Sequence, residues 1–353
     1  MSTPDLVVSP VVPPVPAMAR EAAQAADAAL RQIRECASGF AELGARLRQR
    51  PPSFIVTCAR GSSDHAASYG KYLLETNLGR AVASMGPSVA SVYNTPNLEL
   101  KDSLFIAVSQ SGRSPDLLRL TEAARAGGAL TVGFVNSEGS PLSSLCDVNF
   151  PLCAGPEHSV AATKSYILSG LAFLQLAAHW TQDAGLHEAV SRLPQALEAA
   201  RALDWWPGLS RLVDARSLFV LGRGSGLGAA LEMALKFKET CRLHAEAFST
   251  AEVSHGPLAL VGPGFPVLAL GQEDGSAEGT RSVVRRMVEL GAEVRSVLEV
   301  PGAELLPTVS GVPNAIAPLC QVQSFYMAVH RLATARRLDP DAPAHLRKVT
   351  ETV

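Results

Sequence analysis

The sequence predicts an α/β protein built from two tandem copies of a doubly wound, mostly parallel sheet with helices on both faces. Three observations carry that prediction. Short apolar runs alternate with helical patterns along the chain, the order that a parallel sheet with crossover helices produces. Part of the alternation recurs: Ile55–Ala67, IVTCARGSSDHAA, aligns with Leu218–Ala230, LFVLGRGSGLGAA, and both carry Arg-Gly-Ser. The chain has 353 residues, 47% of them hydrophobic, enough for two domains with a sizeable core.

Taken in order, Met1–Ala17 is apolar but holds five prolines and an acid, with no basic residue ahead of it. It reads as a disordered extension, a poor signal peptide and no membrane helix. Translation could begin at Met1 or at Met18. Residues 18–50 form a helical segment rich in Ala, Leu and Arg that ends before Pro51-Pro52. Residues 51–185 make the first domain. Its expected strands are Phe54–Ala59, Leu104–Val108, Thr131–Val135 and a short Asn149–Leu152. Its expected helices are Ser62–Leu78, Pro115–Ala126, a turn or short helix at Leu142–Leu145, and a long apolar helix over Ala161–Trp180. The stretch Leu186–Pro207 links it to a second domain, 208–340, and residues 341–353 form a tail too Pro-rich at its start to be regular.

Net charge is -2, from 31 basic and 33 acidic side chains. That balance excludes nucleic acid as a bulk partner, which would need a basic face. No run of eighteen apolar residues occurs, so no membrane span is expected. The six cysteines (36, 58, 146, 153, 241 and 320) show neither a C-x-x-C pair nor a metal-ligand spacing with His. They read as free thiols in a reducing, cytoplasmic compartment, with no metal expected.

Chemistry first surfaces in Ser103–Leu120, SLFIAVSQSGRSPDLLRL. A buried strand meets a helix opened by Pro115, and the junction holds Ser109, Gln110, Ser111, Arg113 and Ser114. Free N–H groups and the dipole at a helix N-terminus suit an anion. Equally, Ser114 can be an N-cap with Pro115 at N1 and the rest turn filler. The repeat favours the anion: at the same place the second copy has Gly271, Gln272, Glu273 and Asp274, whose carboxylates would repel a phosphate. The loop ARGSSD likewise follows a strand and opens a helix, with Gly61 allowing close approach and Ser62 and Ser63 able to donate. Both loops would converge at the strand C-terminal ends, where doubly wound sheets bind ligands. Gly222–Gly228 fits no dinucleotide fingerprint.

The second copy supplies acid–base groups. Glu232, Lys236 and Glu239 share one helix face, which by pattern alone could be a solvated ion-pair face. His255 sits in the turn SHGP, and Lys348 in the terminal HLRKVTETV, where a basic tail is the plain alternative.

The segments VSQSGRSPD, HSVAATKSY, ALKFKETCRLHAEAF, EVSHGPLAL and HLRKVTETV, in this order over residues 18–353, resemble the isomerase half of the glucosamine–fructose-6-phosphate aminotransferases. That half consists of two SIS (sugar isomerase) domains. The resemblance implies a phosphosugar loop at Gly61, Ser62 and Ser63, and a phosphate cradle at Ser109, Gln110, Ser111 and Ser114. It implies a sugar-covering segment at Val160, Ala161 and Ala162, with Ala162 in place of a family serine. It also implies Glu239 as the enolisation base with Lys236 one turn before it. His255 would be the ring-opening residue, reaching the partner subunit's site in a homodimer, and Lys348 the Schiff-base lysine. Arg60 replaces a family cysteine and points to a changed substrate contact.

Ser2 follows Met1, where the aminotransferases have a glutaminase domain opened by cysteine. The expectation is therefore a stand-alone glucosamine-6-phosphate deaminase that needs no cofactor. The alternatives are a deaminase, isomerase or deglycase of another amino-sugar phosphate, an ammonia-dependent synthase, and a phosphosugar sensor without turnover. The tail is expected to add little to global stability.

Overall fold

The structure is a computed structural model, and it describes residues 15–348. Most of the proposed N-terminal extension and the last five residues of the tail lie outside the described residues. Two helices open the fold, α1 (Ala17–Ala22) and α2 (Ala25–Gln49). The first sheet unit follows as β1 (Phe54–Cys58), α3 (Gly61–Leu78), β2 (Val82–Ser84), α4 (Ser88–Ser91), β3 (Ser103–Ser109), α5 (Pro115–Ala126), β4 (Leu130–Val135), α6 (Pro141–Leu145) and β5 (Val148–Pro151). Three helices, α7 (Lys164–Thr181), α8 (Ala184–Arg201) and α9 (Trp206–Ser210), lead to the second unit. That unit runs β6 (Ser217–Gly222), α10 (Gly226–Cys241), β7 (His244–Ser249), β8 (Pro266–Ala269), α11 (Ala277–Glu289), β9 (Glu293–Ser296), β10 (Glu304–Leu305) and α12 (Ala317–Ala335).

Each sheet has five parallel strands, ordered β2-β1-β3-β4-β5 and β7-β6-β8-β9-β10. The two orders are the same, so the repeat in the sequence is a repeat of topology. The strands are short apolar runs because helices cover both faces; all seven residues of β3 are buried. Strand order reverses between β1 and β3, where Ile55 pairs with Leu104. The loops leaving these two strands therefore part in opposite directions and leave a crevice at their C-terminal ends.

Helices α3 and α10, one from each unit, lie against each other. Gly228 permits this: a Cβ there would stand 2.6 Å from Tyr69 N and 2.7 Å from His65 O. The close crossing carries the polar face of α10 to the start of α3.

Two expectations shift. The helix expected from Ala161 begins at Lys164, because Thr163 N and Ser165 N instead donate to Glu157 at 2.9 and 3.3 Å. Helix begins at Ala17, inside the stretch read as disordered, since Asp341 caps it: its carboxylate accepts from Ala17 N at 2.6 Å and Met18 N at 2.7 Å. The tail is irregular yet anchored to α1 by that contact. Among the described residues, no helix is long and apolar enough to cross a membrane.

Candidate active site

The crevice at the β1/β3 switch point opens into a cavity of about 380 Å³. The first unit supplies Arg60, Gly61, Ser62, Ser63, Ser109, Gln110, Ser111 and Ser114 to its wall. Val160 and Ala162 come from the segment after β5, Glu239 from the second unit, and Lys348 from the tail. Residues far apart in the chain and singled out from sequence thus line one space.

The floor gathers groups that can donate to an anion. Helices α3 and α5 both point their N-termini into the cavity, with backbone N–H groups in the first turn. Ser114 occupies the N-cap position of α5, but its side chain makes no capping hydrogen bond, and the residue lines the cavity. Gly61 has a φ of +53°, a backbone geometry that a residue with a Cβ adopts only with strain. Ser109 Oγ is partly committed, accepting from Gly112 N at 2.9 Å. The Ser111 hydroxyl holds only a long 3.4 Å contact from Arg113 N. Ser111→Ala should therefore raise KM for a phosphorylated substrate about tenfold or more while leaving the melting temperature unchanged, since a hydrogen bond to a charged group is worth about 1.5–3 kcal/mol. Steady-state kinetics beside thermal unfolding check it.

Arg60 donates through Nε and Nη2 to Asp116 Oδ2 at 3.0 and 2.9 Å. Asp116 is fully buried, and its other oxygen accepts from Leu117 N at 2.8 Å. The guanidinium is thereby fixed at the cavity rim.

The acid–base wall is a buried chain of charges. Lys236 Nζ reaches Glu239 Oε2 at 2.6 Å, Glu232 Oε1 at 3.2 Å and Ser62 Oγ at 2.9 Å. Glu232 also accepts from Tyr326 OH at 2.7 Å and faces His65 Nδ1 at 3.1 Å. Lys236 and Glu232 have no exposed side-chain surface, so this is not a solvated ion-pair face. Burial alone would lower the Lys236 pKa, but the two carboxylates outweigh it and push it up to about 12. Burial likewise works to raise Glu232, yet Lys236 and His65 bring it below the ordinary carboxylate value. Lys236 is thus an ammonium; its contribution to stability is complete below the usual lysine range and is lost only as pH rises through about 12. It cannot serve as a base near neutrality. Glu239, 18% exposed and on the cavity wall, can.

Opposite it, Lys348 Nζ donates to Ser159 O at 2.7 Å and pairs with Glu157 Oε2 at 3.3 Å. Glu157 is fully buried and also accepts from Thr163 N, Ser165 N and Ser165 Oγ, the last at 2.7 Å. Burial pushes its pKa up, but Lys348 and these donors prevail and hold it below the usual value.

Three expected residues stand apart. Ala161 is fully buried behind the wall, and Lys236 lies behind Glu239. His255 is exposed on a turn of the second unit and does not line this cavity. Conversely, Asp116, Glu157, Ser165, His65 and Tyr326 escaped the sequence reading, which had Glu232 only as a member of the helix face shared with Lys236 and Glu239. Only the burial of Asp116 and Glu157 could have pointed to them, and burial is set by distant packing. In the second unit the matching crevice is filled: Gln272 Nε2 folds back to Arg223 O and Ser225 Oγ, both at 3.3 Å.

The SIS domain family model matches residues 51–179 and 211–304, more than half of the chain. The chain is 34% identical over 313 residues to the glutamine–fructose-6-phosphate aminotransferase (isomerizing) of Thermotoga maritima, covering 83% of this chain and 50% of that protein. It is 34% identical over 320 residues to the same-named protein of Aeropyrum pernix, again 83% and 50%. The chain thus spans about half the length of the curated relatives it matches. Among solved structures, a Silicibacter pomeroyi protein with the provisional name phosphosugar isomerase superimposes with a TM-score of 0.88 at 43% identity, covering 93% of this chain and all of that one. The C-terminal domain of glucosamine–fructose-6-phosphate aminotransferase from Francisella tularensis gives 0.81 at 23% identity, over 95% of this chain and 100% of that one. A glucosamine-6-phosphate deaminase from Thermotoga maritima gives 0.72 at 22%, over 92% and 100%. The last two likenesses concern the fold.

Proposed function

The chain belongs to the SIS domain family, and from that premise we propose that it is a phosphosugar isomerase that deaminates glucosamine 6-phosphate to fructose 6-phosphate and ammonia. The observation that carries this reading is the placement of Glu239: a carboxylate from one unit faces the hydroxyl-lined, helix-N-terminal anion floor of the other across a single cavity. The floor holds the phosphate and so fixes the sugar chain. His255, brought from a partner subunit, opens the pyranose ring. Glu239 takes the proton from C2 of the open aldose and returns it to C1, while the Lys236 ammonium holds the carboxylate in place. The resulting C2 imine adds water and releases ammonia. Lys348, let go by Glu157, meets the C1 oxygen as a cation or the carbonyl as an amine. Each step is proton transfer, addition or elimination.

Incubation of the purified chain with glucosamine 6-phosphate should yield ammonia and fructose 6-phosphate in equal amounts. Ketose without ammonia from unaminated aldose phosphates would make it a plain isomerase; tight binding with no product would make it a sensor. A second reading, synthesis of glucosamine 6-phosphate from fructose 6-phosphate and free ammonia, draws on the names of the curated relatives and uses the same groups in reverse. Rates measured from both sides separate the two.

The exposed position of His255, off the cavity of its own chain, favours the shared-site homodimer. Mixing inactive Glu239→Gln with inactive His255→Ala should then restore partial activity, because one site of each heterodimer keeps both groups. Subunit exchange seen by native mass spectrometry with no recovered activity would defeat the shared site.

A further inference from the structure

Two thiols meet at the root of the segment that carries Glu157. Cys36 lies on α2, and Cys153 lies two residues beyond β5. Both sulfurs lie 3.5 Å from one carbonyl oxygen, Pro151 O, which the Cys36 thiol faces as a donor. The influence of each thiol on the other lowers the pKa of Cys36 and raises that of Cys153. Cys36 is buried, whereas Cys153 is partly exposed and donates to Glu35 Oε2 at 3.2 Å.

Cys153 has a φ of +54°, in the left-handed region that residues with a Cβ seldom occupy. Its neighbours hold it there: Arg31 Nη2 donates to Cys153 O at 3.2 Å, Gln32 Nε2 to Leu152 O at 3.0 Å, and Ala154 N to Asn136 Oδ1 at 2.9 Å. Further along, Glu21 of α1 accepts from His158 N at 2.6 Å and Ser159 N at 3.2 Å. Helices α1 and α2 thus brace the whole segment that holds Lys348, and the two thiols sit where the brace begins.

We propose that Cys36 and Cys153 are a redox-active pair whose disulfide ties α2 to the root of this segment and restrains it. The oxidant is a peroxide. The Cys153 sulfur, its proton passed to the Glu35 carboxylate that faces it at 3.2 Å, attacks one peroxide oxygen; the O–O bond breaks, the departing hydroxide takes up that proton as the first water, and a sulfenic acid is left. The Cys36 sulfur, relieved of its proton, then attacks the Cys153 sulfur. The S–O bond breaks, and the departing hydroxide takes up that proton as the second water. The pair loses two electrons and the peroxide gains two; a thiol reductant reverses the bond. Disulfide formation brings the sulfurs to about 2.05 Å, which draws Cys153 towards α2.

The proposal does not rest on the phosphosugar reading, and no substrate enters its test. The full chain is titrated with hydrogen peroxide, digested without reduction and analysed by mass spectrometry, with amide hydrogen exchange followed across residues 154–163. The expected result is loss of two of the six free thiols, a Cys36–Cys153 cross-linked peptide that dithiothreitol removes, and exchange across 154–163 slowed at least about threefold. Neither Cys36→Ser nor Cys153→Ser should show the slowing. Oxidation that halts at Cys153, a link to a different cysteine, or a Cys36–Cys153 link with unchanged exchange would each overturn the proposal.

Discussion

Replacing Glu239 by Gln should lower turnover about 10²–10⁴-fold, the usual contribution of a positioned general base. Substrate should still bind, because the proposed phosphate donors belong to the loops after β1 and β3. The fold also survives: Lys236 keeps Glu232 at 3.2 Å and Ser62 at 2.9 Å, so no buried ammonium is stranded. The amide can still accept from Lys236, and the loss of stability should stay near 1 kcal/mol. Single-turnover kinetics with a parallel binding measurement separate the two effects. A variant with normal turnover removes Glu239 from the chemistry; one that fails to bind puts it in substrate recognition.

Lys348→Met should lower turnover about 10²–10³-fold, the scale of losing one donor to a developing oxyanion. The sequence alone predicts no cost in stability, since an irregular tail buries little. The Glu157 contact changes that. With Lys348 gone, a fully buried carboxylate keeps its donors on Thr163 and Ser165 but loses the Lys348 ammonium. The variant should lose about 1–2 kcal/mol at neutral pH. The sign of the pH dependence follows from the lowered pKa of Glu157. Its contribution to stability is present above the ordinary carboxylate range and is lost as pH falls through the lowered value. The gap between wild type and Lys348→Met should therefore close on acidification. Urea unfolding at neutral and acid pH measures it; a gap that widens in acid would mean that Lys348 does not govern this carboxylate.

Continuous apolar runs bounded by polar turns make buried parallel strands legible, and helix α5 spans Pro115–Ala126 as the pattern predicts. Strand β2 escaped because it has three residues and buries only Val82. That the loops after β1 and β3 meet at one cavity was legible because both leave neighbouring strands and open helices. The charge chain was less so. Periodicity puts Glu232, Lys236 and Glu239 on one face of a helix but cannot say what covers it; α3 does, and only the close crossing at Gly228 makes the face a buried one. Glu157 is a single acid in a Gly- and Pro-containing loop, and its partner lies 191 residues away. Arg60 and Asp116 are 56 residues apart. Pairings of that range belong to topology, which local pattern does not encode.

Transfer of hydrogen from C2 to C1 by Glu239 inside this cavity is the central claim, and a label reads it directly. Glucosamine 6-phosphate carrying deuterium at C2 is turned over in ordinary water, and the fructose 6-phosphate is analysed by NMR. One carboxylate acting at both carbons in a walled site should deliver part of the deuterium to C1, and Glu239→Gln should form neither labelled ketose nor ammonia at a comparable rate. Fructose 6-phosphate with no deuterium at C1, formed equally fast by Glu239→Gln, would contradict the account.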